Sequence, residues 1–265
     1  MLRVYAIAFL VFLYAPIALL PVFAFNDGTV IAFPLDGFTT QWFARMTTNG
    51  ELHAALANSL IVAGTAAVLS VLLGLMAARA GVRHRWPGKR AMQGLIMLPL
   101  VLPEIIVAVS LLIVLVQILG LSLSLWGLIA AHTLICTPFA VAILNASFQA
   151  LDPALEEAAI DLGETRASTF RLVTLPLVAP GIVAALLIAF TISLDEFIIA
   201  FFLTGSNTTL PVYIWSLLRF PRELPVIMAL GTVLVAASIA IVSLAEWNRR
   251  RGLRRTGARD TGGFL

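Results

Sequence analysis

Asp152-Pro153-Ala154-Leu155-Glu156-Glu157-Ala158-Ala159-Ile160-Asp161-Leu162-Gly163 opens the most informative stretch of the chain, residues 149–176, which lies between two long apolar runs. Asp152 carries a side chain that caps helix starts, and Pro153 suits a first helical turn, where a missing N–H has no intrahelical partner to lose. Leu155 to Leu162 continue a short helix with a patch of small residues. Gly163 can adopt the left-handed conformation that ends it. A second helix is predicted through Phe170-Arg171-Leu172-Val173, stopping before Leu175-Pro176. The stretch therefore reads as two short helices joined by a tight turn and projecting from the apolar part of the molecule.

The flanks define that apolar part. Of 265 residues, 60% are hydrophobic and 12% charged, against roughly 45–50% and 25% in soluble domains. A bilayer-spanning helix needs about 20 mainly apolar residues. Six runs qualify: 3–25, 56–78, 92–118, 125–148, 177–203 and 224–246. The first exceeds the roughly 7–15 apolar residues of a signal sequence, so it is read as an uncleaved span. The fold class is all-α: one polytopic membrane domain over 1–265, with the loop 149–176 inside it and a basic tail at 247–265. Pro99, Pro103 and Pro138 are expected to kink their spans. Ala66, Ser70, Gly74 and Ala78 recur every fourth residue and form one small-residue face for helix contact. Residues 26–55 read as a polar outer loop.

Lys and Arg accumulate on the cytoplasmic side of membrane proteins. With the N-terminus inside, Arg3, the connections 79–91 and 149–176 and the tail hold 14 of 17 Lys and Arg residues. Arg45, Arg219 and Arg222 fall outside. The expected arrangement is N-in and C-in, in a plasma membrane. The same bias accounts for the basic tail without a nucleic-acid partner.

Several chemistries find no support. The only lysine, Lys89 in Gly88-Lys89-Arg90, is not followed by Ser or Thr, so no phosphate-binding loop is present. His53, His84 and His132 are scattered and show no metal spacing. The single cysteine, Cys136, reads as a small packing residue and His132 as one buried helix contact. No catalytic role is expected for any residue.

Carboxylates inside spans are costly and usually face a cavity or a partner. Glu104 lies near the middle of the third run, and Asp195 and Glu196 lie in the fifth. No Lys or Arg occupies the middle of any run. Acids without basic partners favour a cationic cargo moving past them. Structural roles stand beside that reading: Glu104 after Pro103 suits the first turn of a restarted helix, and Ser193-x-x-Glu196 matches a capping box that would cap a break in the fifth span. Adjacent residues of a helix cannot both point one way, so at most one of Asp195 and Glu196 is expected to face a cargo.

The spacing Glu157-Ala158-Ala159, three residues, Gly163, nine residues, Val173, one residue, Leu175-Pro176 resembles the coupling loop of permeases in ATP-binding-cassette (ABC) importers, with Val173 where Ile is usual. Ala57-Asn58-Ser59-Leu60, Leu98-Pro99-Leu100-Val101-Leu102-Pro103-Glu104, Ser193-Leu194-Asp195-Glu196-Phe197 and Thr208-Thr209-Leu210-Pro211-Val212-Tyr213-Ile214-Trp215 resemble the spermidine/putrescine branch, and the length suits the shorter of its two permeases. Related branches carry opines, other amines, thiamine or iron.

The resemblance implies the type I importer fold. Glu157, Ala158, Ala159, Gly163, Leu175 and Pro176 would dock the loop on an ATPase subunit. The implied partners are a second permease, two ATPase subunits that hold the ATP and Mg this chain does not bind, and a periplasmic binding protein. The implied mechanism is alternating access for a polyamine-like solute past Asp195, Glu104 and Glu196. Trp42, Tyr213 and Trp215 are expected near the outer boundary as interfacial anchors, and Trp42 is also expected to offer a ring face to an ammonium. The competing readings are an ion-gradient-driven transporter, which needs no such loop, and a non-transporting scaffold, which leaves the unpaired acids unexplained.

Overall fold

The computed structural model describes residues 2–84 and 86–256. Arg85 and the distal part of the basic tail, 257–265, lie outside the described residues. The described chain is helical, and its only β pairing is an isolated antiparallel bridge between Asn26 and Phe38. Among the described residues five helical stretches are long and apolar enough to cross a bilayer, and one further pair of helices, bent by 105°, meets the same criterion when taken together.

Two compact units are distinguished. The first contains residues 1–50 and 214–265. Here α1 (Leu2–Ala24) packs along α12 (Leu224–Thr256), and the short α2 (Gln41–Thr48) packs on α12 as well. Ala24, Trp42, Val226 and Ala229 form its buried core, flanked by Phe43, Met46 and Met228. The expected outer loop 26–55 is therefore only partly a loop, because α2 lies within it and the next helix begins at Gly50. An amphipathic turn around Trp42 gains more by burying that indole than by staying extended. The expected boundary between the last span and the tail is not a structural break, since α12 runs on to Thr256.

The second unit, residues 51–213, carries the loop and the acids. α3 (Gly50–Arg83) is 34 residues long, so it spans about 50 Å at 1.5 Å per residue. Ala66, Ser70, Gly74 and Ala78 are all buried along one face of it, as their spacing predicts. That face meets α6 (Leu125–Ala150): Ser70 Oγ donates to Thr133 O at 3.1 Å, and a Cβ built on Gly74 would stand 3.0 Å from Ala140 Cβ. Glycine at 74 lets the two backbones approach closely, which is how helices gain contact in lipid.

Two spans are broken. Residues 92–118 do not form one helix: α4 (Lys89–Val101) and α5 (Glu104–Ile113, continued by a π turn Val114–Ile118) meet at 105°. The bend falls at Leu102-Pro103, where Leu102 is extended (ψ 142°), as expected of a residue before proline. Pro99 and Pro138 lie inside α4 and α6. Residues 177–203 are likewise interrupted. α9 (Leu175–Asp195) ends at Glu196, whose ψ is 116°, and α10 (Ile198–Leu203) follows.

The loop 149–176 forms the expected α7 (Pro153–Asp161) and α8 (Arg166–Thr169). One expectation needs correction: the second helix does not stop before Leu175-Pro176. It passes through a π turn, Phe170–Thr174, directly into α9. In that turn Leu175 N–H reaches Phe170 O, five residues back. The wider turn lets the helix continue although Pro176 supplies no donor.

Candidate transport site and coupling loop

The two broken spans meet. α10 packs on α5, and Phe197, Ile198 and Phe202 join Val107, Ala108 and Leu111 in one apolar cluster. Glu104 is the first residue of α5, Asp195 the last of α9, and Glu196 the first of the two residues between α9 and α10. Glu104 and Asp195 lie near enough to Glu196 for their charges to act on it. Glu104 and the distant adjacent pair Asp195-Glu196 are thus gathered where two helices are interrupted. Pro103 sets one interruption and Glu196 the other.

Their environments differ. Glu196 is 8% exposed, and its Oε1 accepts the Ile199 N–H at 2.7 Å. That bond satisfies one orphan donor at the start of α10. Asp195 and Glu104 are exposed. Glu104 sits at the positive end of α5, where the helix dipole favours an anion, whereas Asp195 sits at the negative end of α9, where it does not. Asp195 is thus an exposed acid at a helix end whose dipole does not stabilise it.

Ser193 does not act as the first half of a capping box. Its Oγ lies 2.7 Å from His132 Nδ1, and both residues are buried. His132 thus makes the single buried helix contact its position predicts, and it ties α6 to the end of α9. Cys136 is buried, with Sγ 3.4 Å from Ala189 O, a packing residue in the same helix pair.

Trp42, in the other unit, offers no open ring. It is 2% exposed, its Nε1 donates to Asn26 O at 2.7 Å, and the Arg45 guanidinium stands 5.0 Å from its ring centroid. The expected ammonium contact is replaced by a packing role: burial of a large indole with its N–H satisfied outweighs display of a ring face.

Two further sequence stretches join in the second unit. Asn58 Nδ2 donates to Thr208 O at 3.1 Å, and Ser59 Oγ accepts the Leu210 N–H at 2.7 Å. Asn58-Ser59 on α3 therefore holds the turn that starts α11 (Leu210–Leu217).

In the coupling loop, Asp152 Oδ1 accepts the Ala154 N–H at 3.0 Å, and Thr165 Oγ1 accepts the Ser168 N–H at 3.2 Å. Between them α7 closes with Gly163 N–H on Ile160 O at 2.9 Å and Glu164 N–H on Ala159 O at 3.1 Å. This is a Schellman closure, and Gly163 has the φ of +93° that it requires. Glu157 and Ala158 are exposed and Ala159 is buried. At the turn Leu162 is 87% exposed. Leu175 and Pro176 begin α9.

The end of α3 and the loop border an open cleft of about 610 Å³ lined by Arg79, Arg83, Glu156, Glu157 and Arg166 among others. Arg79, Arg83, Glu156 and Thr174 are not among the site residues expected from sequence. The available signal was the arginine pair at i and i+4 on the last turns of α3, with an acid beside the Glu-Ala-Ala motif.

A span broken by proline, three gathered acids and a capped two-helix loop define a membrane permease with a coupling element. The chain belongs to the binding-protein-dependent transport system inner membrane components, the permeases of ABC importers, whose family model matches residues 70–251. It is 34% identical over 241 residues to the spermidine/putrescine transport system permease protein PotC of Haemophilus influenzae, covering 91% of this chain and 93% of that one. It is 34% identical over 246 residues to the putrescine transport system permease protein PotI of Escherichia coli K12, covering 89% and 85%. The fold matches a chain of the bacterial ABC transporter that imports the acidic polysaccharide alginate, with a TM-score of 0.71, 17% identity, and coverage of 91% and 93%.

Proposed function

We propose that this permease conducts a small cationic solute, putrescine or spermidine, through an importer powered by separate ATPase subunits. The observation that carries the reading is the convergence of Glu104, Asp195 and Glu196 at two helix breaks, in spans whose middles hold no Lys or Arg. Like charges gathered in a poorly solvated region repel, and a diammonium offsets that repulsion as it passes. The names of the polyamine-permease relatives agree with this cargo class.

In this reading 1–265 is one permease domain with N- and C-termini in the cytoplasm, and the basic tail 247–265 lies on that side. A second permease completes the path, and a periplasmic protein delivers the solute. Two ATPase subunits bind ATP and Mg and carry out all hydrolysis, so this chain is not a catalyst. Glu157, Ala158, Gly163 and the protruding Leu162 meet the ATPase groove, while Ala159, Leu175 and Pro176 shape the loop behind them. Asp195 contacts the cargo, Glu104 adds to the field, and Glu196 holds the break open. The test is uptake of radiolabelled amines by proteoliposomes holding the whole importer and its binding protein. Putrescine or spermidine should accumulate only with ATP inside. Uptake driven by an ion gradient without ATP would overturn the reading.

A further inference from the structure

α3 is separated from the coupling loop by α4, α5 and α6 in chain order, yet its end is fastened to the loop. Arg83 Nε stands 2.8 Å from Glu156 Oε2, and Arg83 Nη2 donates to Leu151 O at 3.1 Å. The other oxygen of Glu156, Oε1, accepts the Thr174 hydroxyl at 2.6 Å. One turn earlier on α3, the Arg79 guanidinium stands 4.1 Å from the Phe170 ring centroid. Arg79 and Arg83 share a helix face by their spacing. Phe170 and Thr174 are the first and last residues of the π turn. The two arginines of α3 thus hold both ends of that turn, one directly and one through Glu156.

We infer that Arg79, Arg83, Glu156 and Thr174 form a joint that carries movement of the coupling loop to α3, with the π turn as the element that yields. The inference rests on the reading that the loop engages an ATPase. The loop continues covalently only into α6 and α9; Ala78 and Val82 of α3 share an apolar cluster with Leu151 and Phe170, and the joint adds the directional polar ties that fix the end of α3 to the π turn. Glu156 and Glu157 are neighbours on α7 with different surroundings: Glu157 is exposed, and Glu156 has a side chain 17% exposed with partners on both oxygens. One acid faces outward toward a partner and the other inward toward α3. Arg83 is 16% exposed, so the pair is screened less than a surface pair. π turns occur mostly as single bulges at functional sites, and here the bulge coincides with the tie.

The test uses the complete importer in proteoliposomes with its binding protein and putrescine. It compares wild type, Glu156→Gln, Arg83→Gln, Thr174→Val and the exchange Arg83→Glu with Glu156→Arg. Three quantities are read: ATPase copurification, stimulation of ATP hydrolysis by the loaded binding protein, and putrescine moved per ATP. In Glu156→Gln and Arg83→Gln, stimulation and putrescine per ATP should each fall at least about fivefold, the low end of coupling between sites, with copurification unchanged. The exchange should return both to within about twofold of wild type. Thr174→Val keeps the side-chain shape and should shift both in the same direction by less, which preserves the test if the exchange does not insert. Wild-type values in the single variants would overturn the joint. So would loss of copurification, which would make Glu156 a docking residue, or an exchange no better than the worse single variant. A wild-type chain that copurifies no ATPase defeats the functional reading itself, a result distinct from a coupled wild type with unaffected variants.

Discussion

Glu196 accepts the backbone N–H of Ile199 through Oε1 at 2.7 Å, so an acid expected in a cargo path is committed to starting α10. Asp195, its neighbour, stays exposed at the negative end of α9. One helix break thus gives two adjacent carboxylates different surroundings, one buried as a cap and one exposed.

Asp195→Asn should raise stability and lower transport together. Removing an anion from a helix C-terminus relieves about 0.3–1 kcal/mol. Losing one charge-assisted contact to an ammonium costs about 1.5–3 kcal/mol, or roughly ten- to hundredfold in apparent affinity at the permease. Thermal unfolding and uptake at matched expression provide the comparison. Wild-type uptake by the variant would remove Asp195 from the path.

Glu196 should respond to shape more than to charge. Glu196→Gln keeps an acceptor for the Ile199 N–H and should transport within a few-fold of wild type. Glu196→Ala leaves that N–H unpaired at a buried position and should destabilise the chain by about 1 kcal/mol, as other lost caps do. An equally large transport loss in Gln and Ala would show that the charge, not the cap, matters.

Gly163→Val tests the coupling turn. Gly163 has φ +93°, and a Cβ built there meets no other atom within 4 Å, so the effect is backbone strain alone. For a β-branched residue that conformation costs on the order of 1–3 kcal/mol. Membrane insertion should persist while ATPase copurification and uptake fall. Normal uptake by a well-expressed variant would contradict the role given to the turn.

Trp42→Phe separates packing from cargo contact. The variant loses the indole bond to Asn26 O but keeps an aromatic face. Stability should fall by about 1–3 kcal/mol for the unpaired buried carbonyl, with the order of preference among amines unchanged. A changed preference in transport assays would return Trp42 to the cargo path.

Topology can be read on a quiet background, because Cys136 is 0% exposed. Cysteines introduced at Gly88 and Leu162 should react with a membrane-impermeant maleimide only after the membrane is opened, and one at Thr47 should react in intact cells. Labelling of residue 162 from outside would invert the proposed orientation.

Local signals carried much of this architecture. The apolar runs disclosed the spans, the small-residue period on α3 disclosed its contact with α6, and Asp152, Pro153 and Gly163 disclosed where α7 begins and ends. Each is a property of neighbours within a few turns. The meeting of Glu104 with Asp195 and Glu196 is not of that kind, because it depends on α10 packing against α5 across some ninety residues of chain. The fusion of α8 with α9 was hidden because a π turn leaves no periodic mark and Leu175-Pro176 reads as a stop. The burial of Trp42 is not legible either, because a lone aromatic near an expected interface does not reveal that Asn26 O will satisfy its N–H.

The length of α3 has a mechanical consequence. A helix of 34 residues exceeds the roughly 30 Å hydrocarbon layer by about 20 Å. Such a rod is a lever with its fulcrum in the membrane: a tilt of about 10° about its midpoint swings each end through about 4 Å. Arg79 and Arg83 occupy one tip of that lever, and Asn58-Ser59, which grips the turn at Thr208–Leu210, lies toward the other. A push of a few ångströms on one end would therefore be delivered, reversed in sense, to the far end, with no side chain between them having to change its partners.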